Sequence, residues 1–279
     1  MPDESASGPP LPSGVTHRSV LRLSEGVARR LDDAIAEEVP VAFVFNDVPF
    51  AVMMATPDDL EDFALGFSLS EGIIGSAAEL VLESVNRLIE GWELRLRIPP
   101  ARAATLEGRR RSLSGRSGCG ICGSELLEAA MRWPPPVGAG IRVSGEAMLR
   151  AVRGLGLQQR LGSVTGATHA AAWADARGAI HQVREDVGRH NALDKLVGAM
   201  ARAGTDPQSG FAVVTSRASY EMAMKAASAG ITLMAAVSAP TALAITLAEQ
   251  ANLTLVGFAR PDGYAVYSHG ERIRGAGTA

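Results

Sequence analysis

The 279-residue sequence contains only two cysteines, which excludes the disulfide framework typical of small secreted domains. It also lacks a basic excess, because its formal net charge of −3 does not suit a surface that binds nucleic acid. A GxxxxGK[ST] loop is absent, so a P-loop NTPase is not predicted. With so few thiols, a reducing cytoplasm is the expected location.

No uninterrupted hydrophobic run predicts a membrane span. The apolar stretch 230–259 is broken at 238–241 and again at 249–252, which predicts two buried strands with a helix between them. Residues 1–14 are acidic and rich in proline, serine and glycine, and they lack the basic and apolar regions of a signal peptide. We expect this N-terminal segment to be disordered.

The first half of the chain has the short-range alternation of a small α+β subdomain, predicted over residues 15–108. Two apolar runs flank the turn pair Asn46-Asp47, which predicts a β-hairpin. A second hairpin is predicted around the turn at Glu90-Gly91.

A helix is expected after the first hairpin, with Thr56 as its N-cap and Pro57 at the first helical position. From about Ala101 a basic connector is expected to lead towards the two cysteines. Within it, residues 109–123 are predicted to form a flexible loop, because arginines and glycines dominate there.

The second half, residues 124–279, alternates short apolar runs with helix-like segments, the pattern of βαβ units on a largely parallel sheet. Ser144 is the expected N-cap of one helix. Another helix should begin near Arg189 and bury an apolar face formed by Leu193, Leu196, Val197 and Met200. An ion pair of Asp194 with Arg189 or Lys195 would then be solvated surface charge. The sequence thus predicts an α/β fold.

Three polar strand-to-helix junctions are predicted, at 183–191, 215–220 and 238–241. They should lie along one edge of the sheet, where helix N-termini favour anions. Arg217, between a strand and a helix, is a candidate phosphate ligand, whereas Ser219 and Thr241 also suit ordinary N-caps. A site is further indicated by the polar residues clustered at the first junction: Arg184, Glu185, Asp186, Arg189, His190 and Asn191.

Cys119 and Cys122 form a CxxC pair in a glycine-rich segment that follows several arginines. The residues alone leave three kinds of site open. A zinc site needs about four ligands, so histidines or a second copy would have to supply two more. A thiol–disulfide switch fits the spacing. A sulfur carrier fits the freedom that glycines give the backbone, and nearby arginines favour the nucleophilic thiolate. Inert structural cysteines are usually buried. The polar setting of this pair therefore disfavours a purely structural role.

Five separated motifs together resemble the FdhD family of formate dehydrogenase accessory sulfurtransferases: GCGICG, REDVGRHNALDKLVG, SRASYEMAMKAA, SAPTALAI and LTLVGFARPDG. The resemblance begins near Gly14 and runs almost to the C-terminus. It implies a cytoplasmic homodimer with a cytidine deaminase-like three-layer α/β sandwich. It also implies that a cysteine desulfurase gives sulfur to a loop cysteine, which passes it to the molybdenum bis-guanine-dinucleotide cofactor of formate dehydrogenase. Neither nucleic acid nor a membrane is an implied partner.

The same resemblance implies roles for individual residues. Cys119 would carry the persulfide and Cys122 would assist. The predicted cofactor-binding residues combine the FARPDG segment with the junctions: Phe258, Ala259, Arg260, Pro261, Asp262, Gly263, Arg189, His190, Ser216, Arg217, Ser238 and Thr241. No intrinsic metal site is expected. The alternatives are a cofactor-binding chaperone without sulfur transfer and a thiol–disulfide redox protein.

Overall fold

The computed structural model of the chain describes residues 12–114 and 131–275. The elements before the first gap are β1 (Val15–Ser24), β2 (Val27–Ala36), β3 (Val39–Phe45), β4 (Val48–Ala55), α1 (Leu60–Ser70), β5 (Val81–Arg87), β6 (Trp92–Arg97) and α2 (Pro100–Ser114). Among the described residues, strands β1 and β2 pair only with each other, whereas strands β3 to β6 form a sheet in the order β4-β3-β6-β5. Helix α1 packs its apolar face onto this second sheet.

Both predicted hairpins of this half are confirmed. Asn46 and Asp47 have φ angles of 47° and 65°, the left-handed pair that a tight two-residue turn between twisted strands requires. The second hairpin joins β5 to β6 across Glu90-Gly91.

The predicted start of α1 is wrong. The helix begins at Leu60, and its N-cap residue Asp59 has a left-handed φ of 52°, which separates the helix from Thr56 and Pro57. Thr56 binds the second half of the chain instead. Its N–H donates to Asp186 Oδ2 (3.0 Å), and its hydroxyl accepts from the N–H of Val187 (3.2 Å).

The basic connector also needs correction in its first part, because residues 100–114 form helix α2. Ala and Leu are strong helix formers, and Pro100 occupies the first helical position. The rest of the predicted loop, residues 115–123, lies outside the described part of the chain. The proposed division into domains stays a prediction.

The elements after the second described range begins are β7 (Val143–Ser144), α3 (Gly145–Gln158), α4 (Gly162–Thr165), β8 (His169–Asp175), β9 (Ile180–Asp186), α5 (Arg189–Arg202), β10 (Gly210–Val214), α6 (Tyr220–Ser228), β11 (Leu233–Ala236), α7 (Ala242–Gln250), β12 (Thr254–Arg260), β13 (Gly263–Ser268) and β14 (Ile273–Arg274). Six of these strands form one sheet in the order β13-β12-β11-β10-β8-β9. Strands β10, β11 and β12 are parallel, as predicted. Strand β8 is antiparallel to both β10 and β9, so β9 points the same way as β10.

Helices cover both faces of the six-stranded sheet. On one face α3 packs over a core that contains Met148, Leu155 and Phe211. On the other face α5, α6 and α7 enclose a core that contains Leu193, Met222 and Leu247. The observed architecture is therefore a mixed α/β fold with helix, sheet and helix layers. The finer likeness to a cytidine deaminase fold stays a prediction. Among the described residues, no helix combines the length and apolar character needed to cross a membrane.

Helices α1 and α5 join the two halves through a backbone-to-backbone contact. A Cβ at Gly66 would stand 1.7 Å from the carbonyl oxygen of Asp194, and one at Gly198 would stand 1.9 Å from that of Asp62. Only glycine permits this approach. The contact fixes the middle of α5 against α1 of the first half of the chain.

Candidate functional site

The carboxyl ends of β9, β10, β11 and β12 lie along one edge of the six-stranded sheet, because these strands run parallel. The loops that leave them are joined by backbone contacts. The N–H of Thr241 donates to Ala218 O (3.0 Å), and the N–H of Phe258 donates to Ser238 O (3.2 Å). The prediction that the three junctions share one edge is confirmed. We refer to this edge, with its loops from Arg189, Ser216, Ser238 and Phe258, as the strand-end site.

The FARPDG segment forms the turn between β12 and β13 at this site. Arg260 pairs with Gly263 across the turn, and a bulge between Gly257 and Arg260 carries Phe258 outwards. Phe258 has a φ of 51°, unusual for a bulky residue, and its side chain is 43% exposed. The Arg260 guanidinium lies 6.0 Å from the centre of the Phe258 ring. An exposed aromatic ring beside an arginine suits a ligand with a flat base and an anionic group.

The remaining residues of this segment divide by burial. Ala259 is buried in the core of the α3 face, so it supports the turn and has no surface to offer a ligand. Pro261 and Asp262 are exposed at the tip. Gly263, half-buried, opens strand β13.

At the first junction, Arg189 and His190 begin helix α5 and face the start of α6. His190 Nε2 lies 2.6 Å from Glu221 Oε2, and the Arg189 guanidinium lies 3.9 Å from the same oxygen. Burial lowers the pKa of His190, and the neighbouring Arg189 lowers it further. Burial and Arg189 also lower the pKa of His169, which is paired with Asp186 on the neighbouring strand β9. Both imidazoles are therefore neutral at pH 7 and can accept a hydrogen bond.

The other two junctions hold the remaining predicted residues. Arg217 is exposed at the end of β10, whereas Ser216 is buried and its hydroxyl donates to Arg217 O (3.0 Å). Thr241 caps α7 by accepting from the N–H of Ala244 (3.3 Å), so the ordinary N-cap role holds there. Ser238 contributes its carbonyl to the Phe258 contact.

Ser219 differs from Thr241 although both precede a helix. Its hydroxyl makes no cap bond and, among the described residues, has no hydrogen-bond partner despite being buried. Arg189 Nε is likewise buried without a partner in the described part of the chain. Leaving such groups unpaired costs about 1–3 kcal/mol each, so a bound water or a ligand atom at either position would be stabilising.

The interpretation of Asp194 and Lys195 as solvated surface charge is wrong, since both side chains are fully buried. Lys195 Nζ binds Asp186 Oδ2 (2.7 Å) and Thr56 O (2.9 Å). Asp194 accepts from Lys225 Nζ (2.9 Å) and from the Ser70 hydroxyl (2.5 Å).

Lys225 is a residue of the site region that the sequence analysis missed. Its ammonium also lies 2.7 Å from Glu71 Oε1. Burial alone would lower the pKa of Lys225, but Asp194 and Glu71 outweigh it and raise that pKa. One signal could have revealed it: a single lysine stands among methionines and alanines in YEMAMKAAS, a helix with little other polar surface.

Cys119 and Cys122 lie outside the described residues, so their prediction as the reacting pair stays a prediction. Within the described ranges, no group of three or more histidine, cysteine, aspartate and glutamate side chains is arranged to hold a metal ion. The strand-end site is therefore built from arginines, hydroxyls, neutral imidazoles and an exposed ring.

Fold and site together define a mixed α/β protein with a polar edge at its parallel strand ends. A sequence model described as the FdhD/NarQ family matches residues 36–274. The chain belongs to the FdhD/NarQ family.

Individual relatives agree with this assignment. The chain is 58% identical over 260 residues to the "Sulfur carrier protein FdhD" of Xanthomonas euvesicatoria pv. vesicatoria, a match that covers 93% of this chain and 92% of the relative. It is 50% identical over 270 residues to the protein of the same name from Cupriavidus necator, covering 97% and 94% of the two chains. A crystal structure from Desulfotalea psychrophila, described as a formate dehydrogenase accessory protein, has a TM-score of 0.72 at 23% identity and covers 95% of this chain and 100% of its own.

Proposed function

We propose that this protein is a sulfur carrier that serves formate dehydrogenase. The names of its relatives, shared over more than nine-tenths of the chain, are the main support for this role. The structural support is the strand-end site, where two buried polar groups, Arg189 Nε and Ser219 Oγ, have no partner among the described residues. In the proposal the protein works in the cytoplasm as a homodimer, and a cysteine desulfurase donates the sulfur.

The acceptor in this proposal is the molybdenum bis-guanine-dinucleotide cofactor, bound as substrate at the strand-end site. Its phosphates are anions, which suit the exposed guanidinium groups of Arg217 and Arg260 and the N-termini of α6 and α7. Its guanine bases are flat and aromatic, and Phe258 presents an exposed ring for stacking. The residues present thus fit both parts of a guanine nucleotide.

The sulfur chemistry in this proposal falls to the two cysteines. The Cys119 thiolate attacks the terminal sulfur of the desulfurase persulfide, forms Cys119–S–SH and releases the desulfurase thiolate. The Cys122 thiolate then attacks Cys119 Sγ, which forms the Cys119–Cys122 disulfide and releases hydrosulfide for the acceptor. The cysteine pair supplies the two electrons that reduce the sulfane sulfur. A cellular thiol reductant must afterwards restore both thiols.

Transfer of radioactive sulfur tests this role directly. The full chain is incubated with a cysteine desulfurase and ³⁵S-cysteine, and protein-bound label is measured before and after treatment with a thiol reductant. We expect reductant-labile label on the wild type and on Cys122→Ala, but none on Cys119→Ala. Delivery of the label to formate dehydrogenase should fail for both variants, because each lacks one of the two thiols in the release step.

The same assay separates the sulfur carrier from a cofactor-binding chaperone. A chaperone would bind guanine nucleotide and restore formate dehydrogenase without ever acquiring label. A wild type that activates the enzyme, together with a Cys122→Ala protein that remains unlabelled because it never acquires sulfur, would therefore refute sulfur transfer and support the chaperone. Activation by Cys119→Ala at the wild-type level would lead to the same conclusion.

A further inference from the structure

Strands β1 and β2 form a two-stranded ribbon that is exposed along most of its length. Among the described residues, each of the two strands pairs only with the other. An isolated two-stranded ribbon is marginally stable in water, because it has no core of its own. In β2, the side chains of Val27 and Ile35 are 53% and 38% exposed. A ribbon of this kind can be stabilised by a further strand that adds to one of its edges.

Strand β2 has one edge whose backbone groups point away from β1. Glu25 and Gly26 have φ angles of 51° and 80°, so a two-residue turn joins the strands, and Ser24 opposite Val27 is the first hydrogen-bonded pair. Hydrogen-bonded and non-hydrogen-bonded pairs then alternate along the ribbon. The N–H and C=O groups that point away from β1 therefore belong to alternate residues: Ala28, Arg30, Asp32 and Ala34. No described strand pairs with this edge.

The sequence of β2, VARRLDDAIA, has charges of opposite sign on the two sides of Leu31. Arg29 and Arg30 precede Leu31, whereas Asp32 and Asp33 follow it. When two identical strands pair antiparallel about a two-fold axis between their Leu31 residues, Arg30 of each strand lies opposite Asp32 of the other. Arg29 likewise lies opposite Asp33. Every contact occurs twice, as in any interface between identical surfaces.

We propose that β2 pairs antiparallel with β2 of a second copy of this chain, about a two-fold axis at Leu31, and so forms a four-stranded sheet across a dimer. This inference rests on the homodimer of the proposed function and is independent of the sulfur chemistry. It assigns the surface that joins the two copies.

The same register satisfies the backbone and the apolar side chains. Ala28 lies opposite Ala34 of the second copy, and both direct their N–H and C=O groups to the shared edge, so the pair exchanges two hydrogen bonds. Val27 lies opposite Ile35 of the second copy, which brings two exposed apolar side chains together. The pairing therefore uses the edge, the charges and the apolar residues of β2 at once.

The charged residues of β2 are poorly matched within their own chain. Within the described ranges, Arg29, Arg30 and Asp32 form no ion pair. Arg29 lies directly opposite Arg22 of β1, and like charges in that position are destabilising. Asp33 forms one exposed contact with Arg22, at 3.4 Å. A second copy of β2 supplies each of these charges with a neighbour of opposite sign.

The charges of β2 also exclude the neighbouring registers. An axis at Arg29 or Arg30 would place an arginine opposite its own copy, and an axis at Asp32 or Asp33 would do the same with an aspartate. Like charges directly opposite each other are destabilising. An axis between two residues would pair an outward-pointing residue with one that is bonded to β1, which the hydrogen-bond pattern forbids. Only an axis at Leu31 gives opposite charges on both sides and an uncharged residue in the middle.

Charge reversal at the central contact is the sharpest test, because Arg30 and Asp32 take no part in the ion pair between Arg22 and Asp33. Arg30→Asp makes two carboxylates face each other at both symmetry-related contacts, and Asp32→Arg does the same with two guanidinium groups. The double variant Arg30→Asp/Asp32→Arg restores opposite charges at both contacts. An equimolar mixture of the two single variants restores them as well. Arg153→Asp is the matched control, since Arg153 is an exposed arginine of α3.

The dissociation constant of the dimer is measured by sedimentation equilibrium of the full chain, and Tm checks that each variant is folded. We expect Arg30→Asp and Asp32→Arg each to raise this Kd by about tenfold, because two attractive contacts become repulsive. The double variant, the mixture and Arg153→Asp should match the wild type. Single variants that dimerise as tightly as the wild type would overturn the pairing. A loss of dimer that neither the double variant nor the mixture recovers would also overturn it.

The outcomes also separate this inference from the proposed sulfur transfer. A wild type that acquires ³⁵S from a desulfurase but stays monomeric would refute the pairing and leave sulfur transfer standing. A wild type that acquires no label but dimerises through complementary charges at positions 30 and 32 would refute sulfur transfer and support the pairing. A monomeric wild type that loses binding to formate dehydrogenase on Arg30→Asp would assign this edge to that enzyme and overturn the self-pairing.

Discussion

Substitution of Gly198 by alanine should weaken the contact between α1 and α5 that orients the strand-end site. The new methyl carbon would stand 1.9 Å from Asp62 O and 2.7 Å from the carbonyl carbon of Asp62. Ordinary contact begins at 3.4 Å, so the helices would have to separate by about 1.5 Å. The obstacle is backbone, which cannot rotate away as a side chain can. Separation would also disturb Asp62, which binds Arg184 Nε at 2.8 Å and Arg202 at 2.9 Å.

The expected magnitude follows from two opposing effects. Overpacking a well-packed interior costs up to about 3 kcal/mol, and this backbone clash belongs at the upper end of that range. Replacing glycine by alanine within a helix returns about 1 kcal/mol. The free energy of unfolding should therefore fall by about 2 kcal/mol.

Gly156→Ala is the matched control, since Gly156 lies in α3 and a Cβ there meets no atom of the described residues within 4 Å. It should gain up to about 1 kcal/mol, so the two alanine variants should differ by about 3 kcal/mol. Urea unfolding at 25 °C measures both, with the midpoint expected to shift at constant slope. Equal stability of the two variants would refute the reasoning, and so would a Gly198→Ala protein as stable as the wild type.

Two further predictions concern charge. Arg260→Ala and Arg217→Ala should each weaken binding of GDP by about tenfold in calorimetry, since each removes a charge-assisted contact. The control is Arg177→Ala, because Arg177 is an exposed arginine in the turn between β8 and β9. Equal affinity of all three variants for GDP would exclude Arg217 and Arg260 from the nucleotide site. For Asp175, burial is outweighed by hydrogen bonds from the N–H groups of Ala179 and Arg177 and from His181, which lower its pKa to about 2. The resulting stability is fully present above the ordinary value of 3.8 and is lost as the pH falls through about 2, so the stability gap between wild type and Asp175→Asn should narrow over that window in acid titrations of unfolding. A gap that stays constant would contradict this.

Local patterns in the sequence predicted the elements whose causes are local. The turn pair Asn46-Asp47 works because both residues tolerate a positive φ, and Ser144 caps α3 by accepting from the N–H of Ala147 (3.1 Å). The parallel order of β10, β11 and β12 followed from alternating strands and helices, and it placed the junctions on one edge. The start of α1 was missed because Thr56, a good N-cap by type, is bound by Asp186, which is 130 residues away.

The burial of charged residues could not be predicted either, because here too the partners are distant in the sequence. Lys195 and Asp194 are neighbours in the sequence, yet each pairs with a residue elsewhere: Lys195 with Asp186, and Asp194 with Lys225. Adjacent residues on a helix point about 100° apart, so the side chains of Asp194 and Lys195 are poorly placed to pair with each other. Which distant partner fills each position depends on the packing of α1 against α5, and no periodicity in either helix encodes that packing.

The buried ion pairs are better explained by the arrangement of elements that they specify than by a gain in the free energy of unfolding. Apolar residues of similar volume would often be as stable as a buried pair, because desolvation offsets the attraction between the charges. Contacts from the first half of the chain end on these charged groups: the Thr56 carbonyl accepts from Lys195 of α5, Asp62 of α1 pairs with Arg184 of β9 and Arg202 of α5, and Glu71 pairs with Lys225 of α6. A shift of α1 by one turn would leave several charges buried without partners, at a cost of about 3–5 kcal/mol for each broken pair. The pairs therefore specify one register between α1 and α5, and that register sets Arg189 and His190 at the strand-end site.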